Sequence, residues 1–202
     1  MPLILNNAPT SYPVSKELAK QWLKQDEIDE DDPIIDLVIK SAVDWAENFT
    51  ARRFISQTWT QYRDNFPSRC ENSQWWPGAM LIPYPPLSSV THIKYYDTQG
   101  TLQTLSSSDY SVDAASEPGR ITPAPNLVWP SVQSDRINAV EIKFVCGYAN
   151  AAAVPPALTQ ALLFLIENFY DRRDELVIGA SVISIPIGIE SCLWPFRDLR
   201  NL

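Results

Sequence analysis

Residues able to do acid–base chemistry are scarce in this sequence, and the first to consider is its single histidine, His92. Imidazole titrates near neutral pH and is the side chain that enzymes use most often to move protons. His92 lies in a segment, 90–97, whose alternation predicts a β-strand, and Lys94 shares its face of that strand. The sequence contains no Gly-rich phosphate loop, HExxH helix or GxSxG elbow. We therefore interpret His92 as a surface residue of a strand, and the sequence predicts no catalytic residues and no enzyme.

A run of acidic residues between two predicted helices is the candidate cation site, because hard cations bind clustered oxygen ligands. It comprises Asp26, Glu27, Asp29, Glu30, Asp31 and Asp32. The run lacks the Gly-pivoted spacing of an EF-hand loop, so we interpret it as a solvated turn and predict no metal and no cofactor. An electrostatic role in the lumen of a ring stays open for these acids. A metal-dependent hydrolase using Asp29, Asp31 and Asp32 is a competing hypothesis, although no histidine partner accompanies them.

The tryptophans Trp75, Trp76 and Trp129 could stack on a sugar or a base. They could equally anchor loops or be buried between subunits, where tryptophan is enriched. The net charge of −8 and the absence of a basic aromatic groove favour the interface interpretation. A carbohydrate- or ligand-binding β module that uses exposed tryptophans remains the alternative function.

The composition is that of an ordinary globular protein of 202 residues, 45% hydrophobic and 20% charged. Its 17 prolines against 6 glycines indicate stiff, extended loops. The acidic balance disfavours nonspecific binding to phosphate backbones. The three cysteines are far apart and form no CxxC pair, so they indicate a reducing compartment rather than disulfides or zinc. No signal-peptide pattern and no membrane-length apolar run is present, so we expect synthesis in the cytoplasm and no membrane partner.

Three helices are predicted from caps and from apolar spacing. Ser15 is an N-cap for a helix near 15–25, and Asp32-Pro33 begins an amphipathic helix over 33–52. Residues 156–173 form a helix so apolar that it must be central or covered by a neighbouring subunit. Residues 1–13, before the first helix, are predicted to be an extended arm.

The middle of the chain has the period of β-strands. Strands are predicted over 58–66, 90–97, 101–105 and 139–146. In the tail, residues 177–189 alternate and predict an extended segment, and 191–197 predict one short helical turn. The fold class is α+β, a helical bundle of N- and C-terminal helices with an antiparallel β insertion in the middle.

The order of short segments along the chain resembles that of phage head-tail connector (adaptor) proteins, in the branch with a β-rich insertion between helices. The segments are 14–15 with 19–23, 45–47, 50–54, 57–59, 85–90, 95–97 with Gly100, 110–113, 118–121, 129–130, 138–144, 147–148, 154–155, 170–173, 186–189 and 195–197. The resemblance implies one connector domain over 1–202, with 1–55 and 154–202 as its helical part and 56–153 as the insertion.

The resemblance also implies a function without catalysis. The chain would be a virion protein at the head–tail junction, assembled in the bacterial host cytoplasm as a ring of twelve copies beneath the portal protein. DNA would pass through the ring without specific binding, and a tail or neck completion protein would attach to it. The expected subunit or portal contacts are on the long helix and tail. They are Phe164, Arg172, Arg173, Val177, Ile183, Ile185, Ile187, Ile189 and Trp194.

Overall fold

The structure, a computed structural model, describes residues 1–25, 31–68, 78–171 and 187–198. The chain divides into two compact units. The β unit contains Met1–Pro9 and Ser56–Gly147, and the helical unit contains Thr10–Ile55 and Tyr148–Arg200. The helices and antiparallel sheets of the chain confirm the α+β class that the sequence predicts.

The described part of the helical unit contains four α-helices: α1 (Lys16–Leu23), α2 (Asp32–Thr50), α3 (Pro156–Asp171) and α4 (Ile187–Leu193). Two short 3₁₀ helices, Ala151–Ala153 and Trp194–Phe196, flank α3 and α4. The Ser15 hydroxyl accepts the Leu18 N–H at 3.2 Å, which confirms the N-cap of α1. Lys24 and Ala51 adopt left-handed conformations that end α1 and α2. No helix within the described ranges is long and apolar enough to cross a membrane.

Helix α3 is the centre of this unit. Leu158, Leu162, Leu165 and Ile166 are fully buried, in one core with residues of α1, α2 and α4. The chain itself therefore covers this apolar helix. Of the two predicted alternatives, a central helix or one covered by a neighbouring subunit, the structure shows the central helix. The apolarity of α3 gives no reason to require a neighbouring subunit.

Helix α4 corrects the interpretation of the tail. Ile187 and Ile189 belong to a helix rather than to an extended segment. The reason is packing at helical spacing, because Ile189 and Leu193, four residues apart, are both buried in the core of the helical unit. Residues 177–186 of the predicted extended segment lie outside the described residues.

The main sheet of the β unit has five antiparallel strands in the order β1-β2-β8-β4-β5. They are β1 (Leu3–Asn7), β2 (Gln57–Arg63), β4 (Leu87–Tyr96), β5 (Leu102–Thr104) and β8 (Val140–Cys146). A second sheet has the order β3-β7-β6, from β3 (Met80–Leu81), β6 (Tyr110–Asp113) and β7 (Arg120–Pro123).

Strand β1 changes the interpretation of the N-terminal arm. Residues 3–7 are extended, as predicted, but they pair with β2, and Leu3 faces Gln61 in the register. β1 is therefore one edge of the five-stranded sheet, and β5 is the other.

The core of the β unit lies on one face of the five-stranded sheet. Alternation places Val140, Ile142, Phe144 and Cys146 of β8 on that face, each fully buried. Gly119 is also buried, and a Cβ added there would lie 2.6 Å from the Cβ and Cδ2 of Leu87. Only glycine fits at this position, because Leu87 is itself buried.

Candidate partner-contact surfaces

His92 lies on the face of the five-stranded sheet opposite the core. Its Nε2 is 2.9 Å from Oε1 of Glu141 on the neighbouring strand β8. Burial of the phenol, together with the nearby Glu141 carboxylate, raises the pKa of Tyr62 above its ordinary value. These three residues make a polar cluster of cross-strand neighbours. None of them is a serine, threonine or cysteine that His92 could activate as a nucleophile.

The described acids of the predicted cation site are used inside the helical unit. Asp32 accepts from Lys20 at 2.9 Å and from Lys16 at 3.4 Å, and the Lys20 hydrogen bond lowers the pKa of Asp32. The hydroxyl of Tyr170 on α3 donates to the Asp31 carboxylate. These two acids therefore join helices rather than forming a solvated turn. Across the described ranges, no group of three or more His, Cys, Asp and Glu side chains could hold a metal.

The other four acids of that run, Asp26, Glu27, Asp29 and Glu30, lie outside the described residues. The same is true of five predicted contact residues. These are Arg172, Arg173, Val177, Ile183 and Ile185.

Trp129 holds a loop of the β unit in place. Its Nε1 donates to the Gly78 carbonyl at 2.7 Å, and its ring stacks on Phe66 with centroids 4.9 Å apart and planes 4° apart. One face of the indole and its N–H are thus already occupied. Trp129 therefore anchors a loop, which is one of the two interpretations set against stacking on a sugar or base. Trp75 and Trp76 lie outside the described residues.

A cavity of about 680 Å³ lies beside this loop. Pro123, Leu127 and Val128 contribute to its wall. Among the described residues that line it, none is acidic, basic, histidine or cysteine. Its described walls supply shape, apolar surface and the hydroxyls of Ser68, Ser111 and Thr122, but no acid or base that could activate a hydroxyl.

The predicted contact residues in α4 and after it differ in exposure. Ile187 is 81% exposed and Trp194 is 54% exposed, so both are available to a partner. Ile189 is only 6% exposed and belongs to the core. On α3, Phe164 is half-buried and packs edge-on against Trp22 at 5.6 Å between centroids.

Trp194 belongs to an aromatic surface that sequence reasoning missed. We define this surface as Trp45, Phe49, Trp194 and Arg197. Trp45 stacks on Phe49 at 5.0 Å, Phe49 lies 6.4 Å from Trp194, and the Arg197 guanidinium lies 5.1 Å from both of those rings. The signal present in the sequence is the spacing of four residues between Trp45 and Phe49, which places both on one side of α2.

The segment that carries Trp194 is anchored to the end of α2. The Nε of buried Arg52 donates to the Phe196 carbonyl, and the Asp198 N–H donates to the Thr50 carbonyl at 2.9 Å. The neighbouring Arg53 pairs with Glu47 at 3.6 Å. These contacts fix the position of the exposed Trp194 ring on the helical unit.

Asp113, at the end of β6, is a carboxylate of the β unit with several hydrogen-bond partners. It accepts from the Ser116 hydroxyl at 2.7 Å and from Arg120 Nε at 2.8 Å. The Ser116 hydroxyl, followed by Arg120, lowers the pKa of Asp113 to about 2. These bonds close the turn between β6 and β7, so Asp113 has a structural role.

We expect Asp113→Asn to be less stable than the wild type at pH 7. The ionised carboxylate is stabilised by Ser116 and Arg120 in the folded state, and these partners are lost in the unfolded state. A folded-state pKa below the ordinary 3.8 gives stability that is present above that value and lost as pH falls toward 2. The difference between the two proteins should therefore shrink across this window in urea unfolding. An equal difference at pH 2 and pH 7 would show that the charge is not the cause.

Comparisons with known proteins give a likeness of fold. No protein-family model and no curated protein matches the chain. Similar solved structures are the neck of an empty gene transfer agent particle computed with C6 symmetry (TM-score 0.74, 20% identity) and the virion of a native gene transfer agent particle (0.75, 21%). Another is the neck of the native particle computed with C12 symmetry (0.64, 18%). Coverage is 98–100% of this chain and 97–98% of the others. At this identity, the likeness establishes a shared fold.

Proposed function

We propose that this protein is a structural subunit of the neck of a tailed-phage-like particle, a head-tail connector that forms a ring under the portal. The observation that carries the proposal is the shared fold along the full length of chains from gene transfer agent necks and virions. The likeness extends over both units rather than over one common module. The two units would act together as one connector domain.

The surroundings of the polar groups support a role without catalysis. His92 pairs with Glu141, and Asp113 pairs with Arg120. Asp32 forms ion pairs with Lys16 and Lys20. The polar groups of these residues are used to join strands, helices and turns, and the cavity of the β unit is lined without titratable groups among its described residues. The proposed location is the virion, after synthesis and assembly in the host cytoplasm.

The proposed assembly is a ring, with twelve copies in the virion, through which DNA passes. Two of the similar structures are necks computed with C6 and C12 symmetry, which is consistent with a ring. A net charge of −8 would let DNA slide, because acidic side chains repel phosphates. The acids Asp26, Glu27, Asp29 and Glu30 are the part that we propose lines the channel or its entrance, and Asp31 is left out because it accepts a hydrogen bond from Tyr170.

The proposed partner surface centres on the C-terminal part of the helical unit. Exposed Ile187 and Trp194 would contact the portal or a neighbouring subunit, with Arg172, Arg173 and the tail residues Val177, Ile183 and Ile185 in the same contact. Ile189 is left out because it is buried. A tail or neck completion protein would bind the opposite end of the ring.

We expect the double variant Ile187→Asp, Trp194→Ala to reduce binding to portal assemblies at least tenfold while the chain stays folded. Exposed apolar anchors contribute strongly when a partner buries them, and a buried unpaired carboxylate adds a further penalty. Binding would be measured by interferometry on immobilised portal. The matched control is Leu37→Asp, since Leu37 is 63% exposed on α2 of the same unit. Equal losses in both variants would contradict a specific role for Ile187 and Trp194.

The proposed function itself is tested by the mass of the purified chain, alone and mixed with portal, using light scattering and electron micrographs. We expect a ring of this chain, either free or stacked on the portal. A chain that stays monomeric and unbound in both samples would overturn the proposal.

A further inference from the structure

Among the described residues, no further strand pairs with β1 or β5 at the two edges of the five-stranded sheet. The carbonyl of Pro2 accepts the Tyr62 N–H at 3.0 Å, so Pro2, and by alternation Ile4, direct their backbone groups toward β2. The N–H and C=O groups of Leu3 and Leu5 then point away from the sheet. On the other edge, the Leu105 N–H donates to Ile93 at 2.8 Å.

The same alternation applies to β5. Leu105 and Gln103 direct their backbone groups toward β4, so those of Leu102 and Thr104 point outward. Each edge thus offers two residues, two positions apart, with a free donor and a free acceptor. Within the described ranges, no backbone bond to these outward groups occurs.

These edges lack charge and proline, two of the features that keep sheet edges from pairing; β5 is only three residues long, and the register of β1 with β2 shifts between Leu5 and Asn7. Soluble proteins protect edge strands with charged side chains or proline, or cover them with another element. β1 (Leu3–Asn7) and β5 (Leu102–Thr104) contain neither charge nor proline. Ile4, Leu5 and Leu102 are 51%, 42% and 49% exposed. Uncharged, exposed edges of this kind are suited to being covered in an assembly.

We infer that β1 of one copy pairs with β5 of the next copy, so that the sheets join edge to edge around the ring. This inference rests on the proposed function. A ring needs two different, complementary patches on each subunit, and the two edges of one sheet meet that requirement. The occupant of each edge is therefore a second copy of this chain, bound by strand addition.

The dimensions of the sheet agree with such a ring. At about 4.8 Å per strand, five strands span about 24 Å, and twelve sheets joined edge to edge close a circle of about 46 Å radius. A circle of this size can surround a DNA duplex. Neither edge carries a formal charge, so bringing them together meets no charge repulsion between the strands.

Proline substitutions test the pairing, because proline is tolerated on an edge strand whose N–H faces outward. We expect Leu5→Pro and Thr104→Pro each to remove one outward donor and to reduce the ring fraction at least tenfold in light scattering with portal present. The matched controls, Leu5→Val and Thr104→Val, keep the N–H and should still assemble. Circular dichroism verifies folding. Rings formed normally by both folded proline variants would overturn the inference.

Cross-linking keeps the inference testable if a proline variant does not fold. In a chain with Cys70→Ser and Cys192→Ser, the variants Leu5→Cys and Thr104→Cys would be treated with a short thiol cross-linker. We expect covalent dimers only when the two variants are mixed. Dimers from Leu5→Cys alone would indicate β1–β1 pairing, and rings without any cross-link would indicate another interface. Either result overturns the inference, whereas absence of rings in the wild type would overturn the proposed function.

Discussion

Replacing Gly119 by alanine is expected to lower the free energy of unfolding by about 3 kcal/mol, the upper part of the range for an overpacked core. The new Cβ would lie 2.6 Å from Leu87 Cβ and Cδ2 and 3.1 Å from Leu87 Cγ. Leu87 cannot swing outward, because it is 5% exposed and its backbone pairs with Cys146. The backbone of Gly119 is also fixed, because its carbonyl accepts the Ile82 N–H at 2.8 Å. Urea unfolding followed by circular dichroism measures the change.

The matched control for this prediction is Gly188→Ala. A Cβ at Gly188 meets nothing within 4 Å, and Gly188 is the second residue of α4. Alanine is favoured over glycine in helices, by about 1 kcal/mol in the interior and less in the first turn, so this variant should be as stable as the wild type or more stable. A Gly119→Ala protein with unchanged stability would contradict the packing described around Leu87.

Replacing Leu162 by alanine is expected to cost about 2–5 kcal/mol, because it leaves a cavity in a core that can collapse only partly. Leu162 is fully buried in α3, at the centre of the helical unit. The core around it comes from this chain, so the loss should appear in the isolated protein and should not depend on protein concentration. The measurement is the free energy of unfolding at two protein concentrations.

Leu37→Ala is the control for that cavity. Leu37 is also a helical leucine, but it is 63% exposed on α2, so truncation should change stability by no more than about 0.5 kcal/mol. Similar losses at Leu37 and Leu162 would mean that α3 is not the centre of the core. A loss at Leu162 that appears only at low concentration would mean that a second copy covers the helix.

Elements with a strong local pattern could be predicted from the sequence. Helix α2 has both an N-terminal proline signal and a continuous apolar face, and its bounds differ from the expectation by one or two residues. Strand β8 alternates without interruption, and the structure buries the apolar positions that this alternation selects. In both cases, the residues that decide the structure lie within one short segment.

Elements determined by distant partners could not be predicted. β1 becomes a sheet strand only because it meets β2, more than fifty residues later in the chain. Ile187 and Ile189 alternate like a strand, but burial of Ile189 and Leu193 against the helical core selects a helix. Nothing local marks Arg52 as buried, since its partner, the Phe196 carbonyl, lies near the other end of the sequence.

The contact role of the predicted surface residues stays a prediction, and the structure gives only their exposure. Exposure of Ile187 and Trp194 agrees with a contact role, whereas Ile189 packs inward, because successive positions of a helix face different directions. The aromatic neighbours of Trp194 were not predicted. Phe49 and Trp194 lie in separate helices and meet only through the fold.

Electron cryo-microscopy of the particle that carries this chain is the most direct test of the connector role. We predict density for the chain as a ring at the neck, between portal and tail, with neighbouring sheets joined edge to edge. A ring at the neck without joined sheets would preserve the proposed function and exclude the strand pairing. Density elsewhere in the particle, or absence of the chain from it, would contradict the account.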